Sequence, residues 1–240
     1  MINTETKRNP WIFALYYIPG LVYLFINTTF APRLAQVLNL DLWATQMYIV
    51  VGVLWIPMLF ITYFYLKYVD ELTFKQMIDW LGLNRFSWKN MVWALVLFVP
   101  FIGLLGFVWI PYIGKPLTQF LETIPLISMP TWFWQNTMQV SLKTLPLAVT
   151  LVPLSLVIIF NHVGEEIYFR GLLFQKTEAF FGKWTPVIAG LLFITYHTFQ
   201  LSKTLPIFPT GIFLASFYYW KRDIYSVIFL HLLINLMSLL

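Results

Sequence analysis

The sequence contains no cysteine, which excludes disulfides, thiolate metal sites and a cysteine nucleophile, though it does not say which compartment the loops face. Charge is scarce as well: a tenth of the 240 residues are charged, against roughly a quarter in a soluble domain. Sixty per cent are hydrophobic and a fifth aromatic, so a soluble globular domain is excluded and an integral membrane protein remains. The net charge of +5 raises nucleic acid as a partner, but the Lys and Arg residues are scattered through short loops with no contiguous patch, which argues against it. No internal repeat, low-complexity tract or long linker divides the chain, so residues 1–240 read as a single integral membrane domain.

What is abundant is long apolar runs, at about 11–30, 43–66, 91–113, 145–175, 185–201, 205–220 and 224–240. Several approach the roughly 20 residues that cross a hydrocarbon core as a helix, and none alternates polar and apolar as barrel strands do. The expected fold is an all-α bundle of seven transmembrane spans enclosing a polar cavity. The first run, after Lys7 and Arg8, is long and has no small-x-small cleavage site behind it, so a retained anchor is expected rather than a signal peptide. With a cytoplasmic N-terminus, the inner segments carry Lys7, Arg8, Lys67, Lys75, Arg85, Lys89, Lys176, Lys183, Lys221 and Arg222, and the outer ones Arg33, Lys115, Lys143 and Lys203. That distribution follows the positive-inside rule and leaves Arg170 within the membrane. Residues 114–144, with Trp132, Phe133 and Trp134, read as an interfacial segment, because an eighth pass would put Lys176, Lys183, Lys221 and Arg222 outside.

Against this background the stretch NHVGEEIYFRG, residues 161–171, stands out. An ionised side chain at the centre of a membrane helix costs roughly 2.5–3.5 kcal/mol on insertion scales, so such groups face a partner or a water-filled cavity. Glu166 and Arg170 are four apart, acid first, the favourable order for an intrahelical ion pair. Glu165 is left without an evident charged partner. One Glu–Arg pair suits a packing role, but a second carboxylate beside it adds repulsion and desolvation cost, which chemistry explains better than packing. His197, His231 and Asn235 fall in later runs, and helix geometry from the expected span ends puts Glu165, His197 and Asn235 about 16–17 Å deep and His231 about 10 Å. His231 and Asn235 share a helix face, as do Phe193 and His197. His162 shares the face of Glu166, where it could bond that carboxylate or line the cavity, and it receives no catalytic role.

Glu165 to Arg170 fits EExxxR, Phe193 to His197 fits FxxxH and His231 to Asn235 fits HxxxN. In this order, on separate hydrophobic segments, the three resemble the CPBP family of CAAX proteases and bacteriocin-processing enzymes, also called the Abi family. The resemblance begins near residue 145, so the motif-bearing core is about 145–240 and the first three spans add only generic membrane character. It implies an intramembrane endopeptidase of the glutamate type, in which Glu165 activates water, His197 positions it, His231 and Asn235 form the oxyanion hole, and Glu166 and Arg170 support them. No cofactor is implied. The implied partners are the lipid bilayer and a membrane-associated peptide or protein, such as a bacteriocin or signal-peptide precursor or a CAAX-like C-terminus. Family habit and the compact chain imply a bacterial plasma membrane, with the site open toward the cytoplasm. The sequence is silent on oligomeric state.

Three other readings compete. Two histidines and a glutamate could ligate zinc, although HExxH is absent and asparagine is a poor zinc ligand. A transporter or channel would also use buried acids, but no repeated half with matching broken helices is visible. A non-catalytic immunity protein or regulatory scaffold would keep the residues without hydrolysis.

Overall fold

The computed structural model describes residues 10–125, 127–128 and 146–237, and no strand occurs among them. Helix α1 is Ile12–Leu38, and α2 is Leu42–Val69, an α-helix carrying π-helical turns at Val51–Trp55 and Tyr65–Val69. The two form a hairpin: Asn39 ends α1 in the left-handed conformation at φ 50°, and the Asp41 carboxylate accepts the backbone N–H of Trp43 at 2.8 Å to start α2. The short helix α3, Phe74–Leu81, opens with a Thr73–Gln76 capping box and closes on left-handed Gly82.

Helix α4 is Trp88–Glu122, 35 residues. It runs well past the expected end near 113, because Lys115-Pro116, a pair that would begin a new helix well, continues the old one. Helix α5 covers 147–181, and its middle, Ile167–Phe174, is π-helical. Gly182, at φ 50° and ψ −122°, breaks it in a conformation that glycine adopts freely, and α6, Thr185–Thr195, folds back against the π-helical part of α5. Helices α7, Phe208–Lys221, and α8, Ile224–Met237, complete the bundle.

Four helical stretches are long and apolar enough to cross a membrane: Ile12–Leu38, Leu42–Val69, Trp88–Glu122 and Thr150–Thr195, with Ile224–Met237 a shorter apolar helix. The last long stretch holds both the fourth and the fifth apolar runs of the sequence, on either side of Gly182. The chain is therefore a helical membrane bundle. The fifth run departs from expectation, since its helix stops at Thr195 and His197 lies beyond its end, followed by a 3-10 turn at Thr198–Gln200. The aromatic stretch 132–134 lies outside the described residues.

Small residues let α6 and α7 approach closely. A Cβ on Gly190 of α6 would come within 2.6 Å of the Ile212 Cα, and one on Gly211 of α7 within 2.5 Å of the Gly190 carbonyl oxygen. The two backbones touch there, as small-residue seams allow between membrane helices. Two ion pairs tie α5 to its neighbours near its C-terminal end. Lys176 binds Asp70 at 2.6 Å, and Arg222 grips the Glu178 carboxylate with both terminal nitrogens, at 2.5 and 2.7 Å. These pairs pin α5 to the α2–α3 turn and to the end of α7, which fixes the register of the helix that carries the two glutamates.

Candidate active site

Glu165 and Glu166 stand where α5 passes from α-helix into its π-helical segment. Such wide turns recur at functional sites because they redirect successive side chains. The neighbouring carboxylates go to different partners. Both are buried, with 2% and 0% of their surface exposed.

Glu166 Oε1 accepts from Arg170 Nη1 at 3.0 Å and from His231 Nδ1 at 2.7 Å. The expected intrahelical pair is present and is extended by a histidine from α8. Arg170, itself 2% exposed, lays its guanidinium 4.0 Å from the centre of the Phe193 ring, a desolvated cation–π contact of the kind worth about 2 kcal/mol. Phe193 therefore packs rather than reacts. Its edge also meets the rings of His197 and His231, at centroid separations of 5.4 and 5.9 Å.

Among the described residues, Glu165 has no ion-pair partner. Its Oε1 accepts from the indole N–H of Trp55 at 3.0 Å and from the Tyr196 hydroxyl. Trp55 belongs to α2, so the early spans supply more than generic membrane character: one of them holds the central carboxylate. The approach is close, since a Cβ on Gly164 would lie 3.3 Å from the Trp55 carbonyl oxygen. Tyr196 comes from the break after α6, where its ring lies 3.9 Å, centre to centre, from that of His197. His197 donates from Nδ1 to the Phe193 carbonyl at 3.0 Å, so its neutral ring carries the lone pair on Nε2.

Asn235 Nδ2 lies 3.1 Å from His162 Nε2 and 3.4 Å from His231 Nε2. His162 Nδ1 contacts the Ile158 carbonyl oxygen at 2.6 Å, and the two imidazole rings sit edge to face at 4.9 Å. His162 thus bonds Asn235 and its own helix rather than Glu166. Although 162 and 166 share a face, the Ile158 carbonyl turns the ring toward α8. The structure brings Glu166, Arg170, His231, Asn235 and His162 into one hydrogen-bonded chain, with Glu165, Trp55 and Tyr196 beside it, while His197 joins through ring contacts. Among the described residues, no three His, Cys, Asp or Glu side chains are grouped to hold a metal ion.

Residues 146–237 match the Rce1-like family, described as type II CAAX prenyl endopeptidase Rce1-like. The site-bearing region is similar to that family over 146–237. The match starts one residue before α5 and ends with α8, so it covers EExxxR, FxxxH and HxxxN and agrees with the CPBP resemblance read from those motifs. No curated protein and no solved structure matches the chain. Trp55 lies outside the matched region, and its tie to Glu165 is open to direct test. Trp55→Phe keeps the ring packing and removes the donor. A hydrogen bond to a charged group contributes about 1.5–3 kcal/mol, so kcat for peptide cleavage is expected to fall about tenfold or more with little change in melting temperature. An unchanged kcat would mean that the indole merely packs.

Proposed function

We propose that the chain is an intramembrane endopeptidase in which Glu165 activates the water that attacks a peptide bond. The observation that carries this reading is the division of labour between the two glutamates: Glu166 is spent on Arg170 and His231, whereas Glu165 is held by two neutral donors, both on Oε1. Its Oε2 is the oxygen turned to catalysis. It takes a proton from water as the hydroxide adds to the carbonyl carbon, and returns it to the leaving amine. His197, with its lone pair on Nε2, orients that water. The tetrahedral intermediate places negative charge on the former carbonyl oxygen, and the Asn235 amide supplies its donor, worth about 2.7–4 kcal/mol in a dry, fixed site, while His231, its Nδ1–H bound to Glu166, borders the same hole through Nε2. Arg170 and Glu166 hold His231 in its tautomer and place.

The substrate, on this reading, is a membrane-associated peptide or protein: a bacteriocin or signal-peptide precursor, or a CAAX-like C-terminus. An apolar recess of about 550 Å³, lined by residues including Leu15, Pro57, Phe60, Phe64 and Tyr68, borders α2 beyond Trp55 and suits an apolar, membrane-borne part of such a substrate. The chain sits in a bacterial plasma membrane with its N-terminus and the opening of the site on the cytoplasmic side. The Lys176–Asp70 and Arg222–Glu178 pairs near the C-terminal end of α5 support that orientation through the positive-inside rule.

The mechanism proposed needs no metal. Purified protein in liposomes is expected to cleave membrane-anchored test peptides, one set ending in a prenylated CAAX sequence and one carrying an unmodified precursor junction, at the same rate with and without EDTA. Loss of cleavage in EDTA with recovery on added zinc would replace the glutamate mechanism by a metal-dependent one.

A further inference from the structure

His162 has so far only a contact, and its geometry gives it a task. Its Nδ1 lies 2.6 Å from the Ile158 carbonyl oxygen, one turn back on the same helix. A carbonyl can only accept, so Nδ1 carries the hydrogen and Nε2 the lone pair. By the same reasoning His231, bound through Nδ1 to the Glu166 carboxylate at 2.7 Å, also has its lone pair on Nε2. Both Nε2 atoms face the amide nitrogen of Asn235, which has two hydrogens. The shorter contact, 3.1 Å, is to His162, and the longer, 3.4 Å, is to His231. Two acceptors therefore define which end of the side-chain amide is nitrogen and where each hydrogen points.

We propose that His162 is a positioning residue for Asn235: it takes one amide hydrogen firmly and thereby aims the second, loosely held on His231, at the oxyanion formed in peptide hydrolysis. This rests on the reading above that Asn235 donates to that oxyanion. An asparagine free to rotate could present its carbonyl oxygen to the developing charge, which would repel it. Anchoring one hydrogen forbids that rotation, and the energy of the second hydrogen is released only when the oxyanion replaces the weak contact to His231. His162 is 5% exposed and packs within the bundle, so its ring is held by its surroundings as well as by Ile158. Histidine suits the position because its two nitrogens lie on opposite sides of a rigid ring, one to grip α5 and one to reach α8.

The test combines kinetics with a measurement that needs no substrate. His162→Phe keeps the ring volume and removes both nitrogens, and is expected to lower kcat about tenfold or more with KM unchanged. His162→Gln, whose carbonyl can accept the same amide hydrogen, is expected to recover most of the rate. In the His162→Phe, Asn235→Ala double variant the loss should be no greater than in Asn235→Ala alone, since His162 acts only through that amide. An unchanged kcat in His162→Phe, or losses that multiply in the double variant, would overturn the proposal. Independently, 15N spectra of histidine-labelled protein in nanodiscs should show His162 with Nδ1 protonated, and Asn235→Ala should shift the Nε2 resonance of that ring. A protonated Nε2, or a resonance indifferent to Asn235→Ala, would overturn the proposal even if His162→Phe failed to fold. Should the wild-type protein cleave no peptide while the Nε2 resonance still responds to Asn235→Ala, the contact would stand and the protease reading would fall.

Discussion

Arg170→Met is expected to cost more stability than any other single change at this site, about 3–5 kcal/mol, the range seen when one partner of a buried ion pair is removed. Methionine fills most of the volume, so the loss is electrostatic rather than a cavity. Among the described residues, Glu166 would keep His231 alone as a partner, in a position with no exposed surface. The contact of the guanidinium with Phe193 at 4.0 Å would vanish as well. Thermal unfolding in detergent reads the effect directly. Adding Glu166→Gln to Arg170→Met removes the stranded charge while leaving an oxygen for His231, and this double variant is expected to recover most of the melting temperature without recovering full activity. If Arg170→Met melts like the wild type, the ion pair does not support the site.

Much of this arrangement was legible in the sequence, for reasons that differ from residue to residue. The helical bundle follows from apolar runs long enough to span a bilayer, and the Glu166–Arg170 pair from a spacing of four on one helix. The convergence of α5, α6 and α8 could be read because polar residues inside apolar runs are costly and had to meet somewhere. Trp55 and Tyr196 could not be read as ligands of Glu165. Each counts as an aromatic in an apolar run, its single polar atom does not mark it, and the contacts join residues 110 and 31 positions apart. The end of α6 at Thr195 was hidden too, since ITYHTFQ contains neither glycine nor proline. The break there depends on packing against α1, where Tyr23 meets Phe199 edge-on at 4.8 Å and Gly20 admits the Tyr196 carbonyl against its backbone. His162 shows the limit of face-sharing as a guide: it stands one turn from Glu166, yet the ring turns to Asn235.

The second large effect is on catalysis. Glu165→Gln is close to isosteric, and the Gln side-chain carbonyl can still accept from the Trp55 indole and the Tyr196 hydroxyl, which now hold Oε1. The fold and the local packing are therefore expected to survive. What is lost is the ability to take a proton from water. General-base catalysis contributes about 10²–10⁴-fold, so kcat should fall by that factor with KM little changed. Glu166→Gln offers the contrast: it weakens the hold on Arg170 and His231, so it should lower melting temperature and kcat together. The two neighbouring carboxylates would then be distinguished by which observable each one moves.

The central claim is that this membrane protein cuts peptide bonds with Glu165. It is tested most directly by comparing peptide termini in the membranes and medium of cells that carry the wild type with those of cells that carry Glu165→Gln at matched abundance. New termini that appear only with the wild type are the predicted result, and their sequences would name the substrates. Matching profiles, with any wild-type phenotype preserved in the variant, would contradict the claim and leave the glutamates as the framework of a non-catalytic membrane scaffold.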